Sequence, residues 1–148
     1  MRKFLLPIIN LVNLILVSIA WGLSGKTAVI DAGNGDLACG NMYQVIWQGA
    51  EANPIAIVAF FLFIFGCAAM LVAFIPAKWR KFVSACEGAL FIAAGILFLL
   101  STKTYHYSFV KPELTGAFIA ICVLTLIAGA FACGMAALEF FEKKILKK

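Results

Sequence analysis

The chain has 148 residues, of which 64% are hydrophobic and 13% charged, with a net charge of +5. A soluble domain is about half apolar and about a quarter charged, so these proportions exclude a water-soluble core and imply one compact integral membrane domain. The positive balance does not indicate nucleic acid, because no arginine-rich run or aromatic platform accompanies it and basic residues in so apolar a chain orient helices and contact lipid headgroups.

A spanning helix needs about 20 mostly apolar residues to cross the hydrocarbon. The first such stretch covers residues 4–23, preceded by the basic Arg2 and Lys3. A secretory signal with a cleavage site at Ser18-Ile19-Ala20 is the competing reading. The run continues past Ala20, however, and Asn10 and Asn13 interrupt its centre, so a retained helix is expected. Pro7 falls in the expected first turn, where a missing amide matters little. Asn10 and Asn13 form a candidate polar membrane site, since amides in lipid require partners.

Residues 24–53 form a polar connection longer than joining two helices requires. Gly33, Gly35 and Gly40 with Asn34 and Asn41 are turn formers, and Thr27–Asp31 with Met42–Trp47 can pair as a short hairpin or lie on the membrane interface. Lys26, Asp31, Asp36 and Glu51 sum to −2. Asp36, Cys39, Tyr43 and Trp47 are read as a candidate contact surface. Cys39 has no second cysteine on its side of the membrane, which argues against redox or metal chemistry.

The second span covers 54–75, opened by Asn53-Pro54 and closed by Pro76. Phe60, Phe61, Phe63 and Phe65 crowd it on several faces, a pattern suited to lipid or a neighbouring subunit. After a tight turn at 76–81 the third span runs over 82–101 and carries Glu87, the one acid well inside a predicted span. An intramembrane carboxyl is a functional candidate by default. Its structural alternative is to reach back to Arg80, seven residues earlier on the same face. The last span, 113–140, follows a short loop at 102–112 and carries Thr125, Gly129, Cys133 and Ala137 at four-residue spacing. With Gly88 and Gly95 of the third span, these are candidate helix-interface positions, because helices in lipid associate through small residues.

With the amino terminus inside, Arg2, Lys3, Lys78, Arg80, Lys81, Lys143, Lys144, Lys147 and Lys148 lie inside, and Lys26, Lys103 and Lys111 outside. Nine against three satisfies the positive-inside rule for two cytoplasmic termini, in the plasma (cytoplasmic) membrane. Trp21, Trp47, Tyr105, Tyr107 and Trp79 mark the interfaces. The plan of inside termini, long first outer loop and short second one resembles the claudin-like tetraspans in topology. Their paired loop cysteines are absent, and Trp21-Gly22-Leu23 is followed by Ser24, so no residue role carries over. Small multidrug exporters also combine four helices with a membrane glutamate, but in the first helix, where this chain has Asn10 and Asn13.

The fold expected is an all-α membrane protein, a four-helix bundle forming a single domain over residues 1–148. No catalytic set, cofactor motif or metal-ligand spacing is present, and an enzyme is not expected. The expected role is a non-catalytic subunit, scaffold or accessory of a membrane complex or homo-oligomer, with lipid and other membrane subunits or self as partners. The alternative is a channel or small-solute transporter between protomers, with Glu87, Asn10 and Asn13 lining the path.

Overall fold

The computed structural model describes residues 2–31, 37–40, 46, 53–101 and 113–145, with side chains described for 6–27, 46, 53–101 and 115–141. Among the described residues, four helices are long and apolar enough to cross a membrane: α1 (Arg2–Leu23), α2 (Pro54–Ala73), α3 (Arg80–Ser101) and α4 (Gly116–Ile145). Hydrocarbon offers backbone groups no water, so uninterrupted helices are the form such apolar stretches adopt.

The helix ends follow from local chemistry. Asn53 caps α2, its Oδ1 accepting from Ile55 N at 3.1 Å and Ala56 N at 3.3 Å, while its Nδ2 donates to the Ser101 carbonyl at 3.3 Å. One residue thus starts α2 and ties it to the end of α3. Because α1 begins at Arg2, Pro7 lies in its second turn rather than its first and cannot donate to the carbonyl four residues earlier. A 3-10 turn at Ser24–Lys26 ends α1.

Strand β1 (Ala28–Asp31) then runs antiparallel to β2 (Leu37–Gly40), with Ala28 opposite Gly40, and to β3 (Glu113–Leu114), with Ala28 opposite Leu114. The hairpin alternative in the sequence paired Thr27–Asp31 with Met42–Trp47; the strand paired with Ala28–Asp31 is Leu37–Gly40. The shorter connection, 32–36, is rich in turn formers and costs less closure entropy. Helix α4 starts at Gly116, later than expected at 113, because Glu113 and Leu114 belong to β3. Thr115 reinforces the link: its amide donates to Thr27 O at 3.1 Å and its hydroxyl to Lys26 O at 2.6 Å. Ile46, in the connection between β2 and α2, is 1% exposed and belongs to the core.

Helix α3 lies between α2 and α4, and α1 packs chiefly against α4. The expected small-residue positions meet within the one chain. A β-carbon on Gly88 would lie 2.9 Å from Cys133 N and 3.0 Å from Gly129 O, and would press on Cys133 Sγ; one on Gly129 would lie 2.9 Å from Ile92 N. Gly95 faces Leu126 in the same seam, and Thr125 is buried. The backbones of α3 and α4 therefore touch. Ala137, by contrast, is exposed and lies off the seam.

The phenylalanines of α2 divide between two environments. Phe61 and Phe65 are exposed, as lipid contact requires, whereas Phe63 is buried with its ring centroid 5.8 Å from Trp21, 5.8 Å from Phe91 and 6.4 Å from Phe98. Gly66 makes room for the Phe91 ring, which a β-carbon would approach to 2.8 Å.

Adding a methyl group at the seam forces two backbones apart. Gly88→Ala is expected to destabilise the protein by about 1–3 kcal/mol, read from equilibrium unfolding in detergent micelles. Gly134→Ala, where nothing lies within 4 Å, is expected to be neutral or stabilising by up to about 1 kcal/mol.

Candidate functional site

Asn10 and Asn13 are three residues apart and so share one face of α1. That face points into the bundle: Asn10 is 4% exposed and Asn13 fully buried. On α3, Ser84 and Glu87 have the same spacing and are also buried, Glu87 completely. The two faces meet where Asn13 Nδ2 donates to Glu87 Oε1 at 3.1 Å and to the Ala128 carbonyl of α4 at 3.1 Å.

Sequence spacing allowed Glu87 to turn back toward Arg80. It does not. Arg80 Nε donates to Glu139 Oε1 of α4 at 2.6 Å, and the two form an ion pair at the end of the bundle. Beside it, Lys81 Nζ lies 4.7 Å and 4.6 Å from the ring centroids of Phe82 and Phe140. Glu87, about 10 Å further along α3 at 1.5 Å per residue, has no cationic partner among the described residues.

Among the described residues, four buried polar atoms lack a hydrogen-bond partner: Asn10 Oδ1, Asn13 Oδ1, Ser84 Oγ and Glu87 Oε2. Each unpaired buried group costs about 1–3 kcal/mol, so a cluster serving only to hold helices together would be poorly built. A proton on Glu87 Oε2 changes the inventory. It converts one acceptor without a donor into a donor. Thr125 needs no such help, since its hydroxyl donates to Ile121 O at 2.7 Å.

A cavity of about 30 Å³ adjoins this cluster, lined by residues of all four helices including Asn10, Ala73, Arg80 and Met135. Pro7 and Phe74 on its wall are exposed, while Asn10, Ala73 and Met135 are buried. It leads inward from the Arg80 end.

The candidate positions thus separate into groups. Asn13 and Glu87 meet directly, with Asn10 one turn from Asn13 on α1 and Ser84, which the sequence reading missed, one turn from Glu87 on α3. Gly88, Gly95, Thr125, Gly129 and Cys133 form the adjacent helix seam. Glu139 was also missed, because no spacing within one helix points to a partner 59 residues away. Asp36, Tyr43 and Trp47 lie outside the described residues, and of Cys39 only the backbone, in β2, is described. Among the described residues no three His, Cys, Asp or Glu side chains converge as a metal site. No family model, curated protein or solved structure matches the chain.

If Asn13 and Glu87 hold α1 to α3, their effects on stability are coupled. Asn13→Ala is expected to cost about 1–3 kcal/mol by leaving Glu87 Oε1 unpaired. The double Ala variant is expected to lose less than the sum of the single ones by about 0.6–2 kcal/mol. Unfolding of the four proteins in mixed micelles measures both; strict additivity would contradict the contact.

Proposed function

We propose that the protein is a small non-catalytic carrier of the cytoplasmic membrane, with both termini in the cytoplasm, that exchanges a proton for a small cation at Glu87. One observation carries this reading: a carboxyl is fully buried among membrane-long helices with Asn13 as its described hydrogen-bond partner and Arg80 committed elsewhere. A charge at such depth is costly and marks ion or proton pathways. The chemistry of a lone carboxylate limits what it carries, because it is neutralised by either a proton or a cation, and competition between the two is the basis of exchange. Basic residues concentrated at the Arg80 end support the orientation.

The assembly role expected from the small-residue stripe is the second reading. In it, α3 already covers Gly129 and Cys133. The surface left for a partner is the opposite side of α4, where Gly134 is exposed with open space before it, beside Ala137 and Ala130.

Liposomes containing the purified protein, a trapped pH indicator and an acid interior separate the two. Addition of sodium, potassium, or small organic amines that are permanently charged is expected to drive proton efflux through the wild type. Glu87→Gln, which retains an acceptor for Asn13, is expected to fall to the level of empty liposomes while unfolding within about 1 kcal/mol of the wild type. Undiminished efflux in the variant would overturn the role of Glu87, and a wild type silent toward every cation would leave the assembly reading.

A further inference from the structure

We propose that Lys81, held in an aromatic corner between α3 and α4, binds the headgroup of an anionic phospholipid in the leaflet at the Arg80 end. The proposal is independent of Glu87 and of the carrier reading. Three observations carry it. First, the ammonium is placed. Lys81 Nζ of α3 lies 4.7 Å from the ring centroid of Phe82 and 4.6 Å from that of Phe140 on α4. The two rings stand at 84° with centroids 5.5 Å apart, so they wall two sides of the charge. A lysine stem is flexible; here attraction to two ring faces holds its end in one position. Second, the charge has no carboxylate opposite it among the described side chains. Two carboxylates are described: Glu139 is paired with Arg80, and Glu87 accepts from Asn13. Third, the corner opens to lipid. Phe82 is 59% exposed, Phe140 43% and Phe141 61%, whereas Phe63, Phe91 and Phe98 are buried. Trp79, also exposed, stands two residues before Lys81 and marks the headgroup level.

An ammonium has three N–H donors and no acceptor, and two rings occupy at most two of those donors. What completes the corner is an acceptor that combines negative charge with an apolar body. A phospholipid does both: a phosphate oxygen accepts from Lys81 Nζ while an acyl chain lies along the exposed rings of Phe82, Phe140 and Phe141. Basic groups between membrane helices attract anionic headgroups in this way. A free phosphate would use the ammonium and leave the rings bare. The other basic residues of the same turn are not built alike. Arg80 is committed to Glu139, and Lys78 is exposed and lies over no described ring. One cation of the three is therefore both placed and available.

Native mass spectrometry of the protein released from detergent micelles tests the site, with phosphatidylglycerol or phosphatidylcholine of the same acyl chains added and the retained lipids counted. The wild type is expected to bind its first phosphatidylglycerol about fivefold or more tightly than phosphatidylcholine, as one basic group at the headgroup supplies. Lys81→Gln is expected to lose that preference. Phe140→Leu keeps the charge and the apolar surface but removes one ring, and is expected to weaken the preference by about two- to fivefold; it keeps the test decisive should Lys81→Gln fail to fold. Lys78→Gln removes the same charge from the same end and is expected to keep the wild-type preference. Inorganic phosphate at millimolar concentration is expected to leave the lipid in place. Equal loss in Lys78→Gln and Lys81→Gln would overturn the proposal, because net charge alone would then explain the binding. So would a wild type that holds both lipids alike, a Phe140→Leu variant as selective as the wild type, or displacement of the lipid by inorganic phosphate. The expected pattern in a protein that moves no cation would support the lipid site and remove the carrier reading alone.

Discussion

Helices in lipid gain nothing from hiding apolar surface, since the lipid tails are as apolar as leucine; what fixes one helix against another is close packing and hydrogen bonding. For α1 the second of these is concentrated in Asn13. Its amide nitrogen donates to Glu87 on α3 and to the Ala128 carbonyl on α4, so one side chain relates three helices. The Ala128 oxygen serves in its second acceptor role, as a backbone carbonyl has two lone pairs. The direction of the inner face of α1, and with it the position of Asn10, follows from this contact.

The polar contact and the small-residue seam are parts of one arrangement. Glu87 precedes Gly88 in α3 and Ala128 precedes Gly129 in α4, and Gly88 and Gly129 are where the two backbones touch. Close approach at the glycines brings a carboxyl and a carbonyl near enough together for a single amide to reach both. A bulkier residue at either glycine would separate the two acceptors as well as the helices. The aromatic cluster of Trp21, Phe63, Phe91 and Phe98 fills the space between α1, α2 and α3, and the cavity lies toward the Arg80 end, where Asn10 and Met135 line it.

Much of this was legible in the sequence because it depends on local pattern. The four apolar runs required helices, Asn53-Pro54 required a start, and the four-residue spacing of Thr125, Gly129 and Cys133 required a narrow face. The intramembrane residues Asn10, Asn13 and Glu87 were conspicuous because polar groups are rare in such company. Their mutual contact was not legible. Helical arithmetic correctly put Arg80 and Glu87 on one side of α3, yet the partner of each lies on another helix, Glu139 for Arg80 and Asn13 for Glu87. Which residues face each other across 59 or 74 positions depends on how the helices are arranged, and no periodicity within one helix encodes that. The cavity was hidden for the same reason, being shared by four helices. The partner of β1 was misjudged because two nearby segments could both pair with it, and the short connection prevailed.

The most direct measurement is a dipolar distance between the side chains themselves. Solid-state nuclear magnetic resonance of the protein in lipid bilayers, with carbon-13 in glutamate and nitrogen-15 in asparagine and arginine, reports which nitrogen lies beside the Glu87 carboxyl carbon. A strong coupling to the Asn13 side-chain nitrogen is expected, as a 3.1 Å hydrogen bond requires, together with coupling of the Arg80 guanidinium to Glu139. A Glu87 carboxyl coupled to Arg80, with none to Asn13, would contradict the arrangement on which the carrier reading depends.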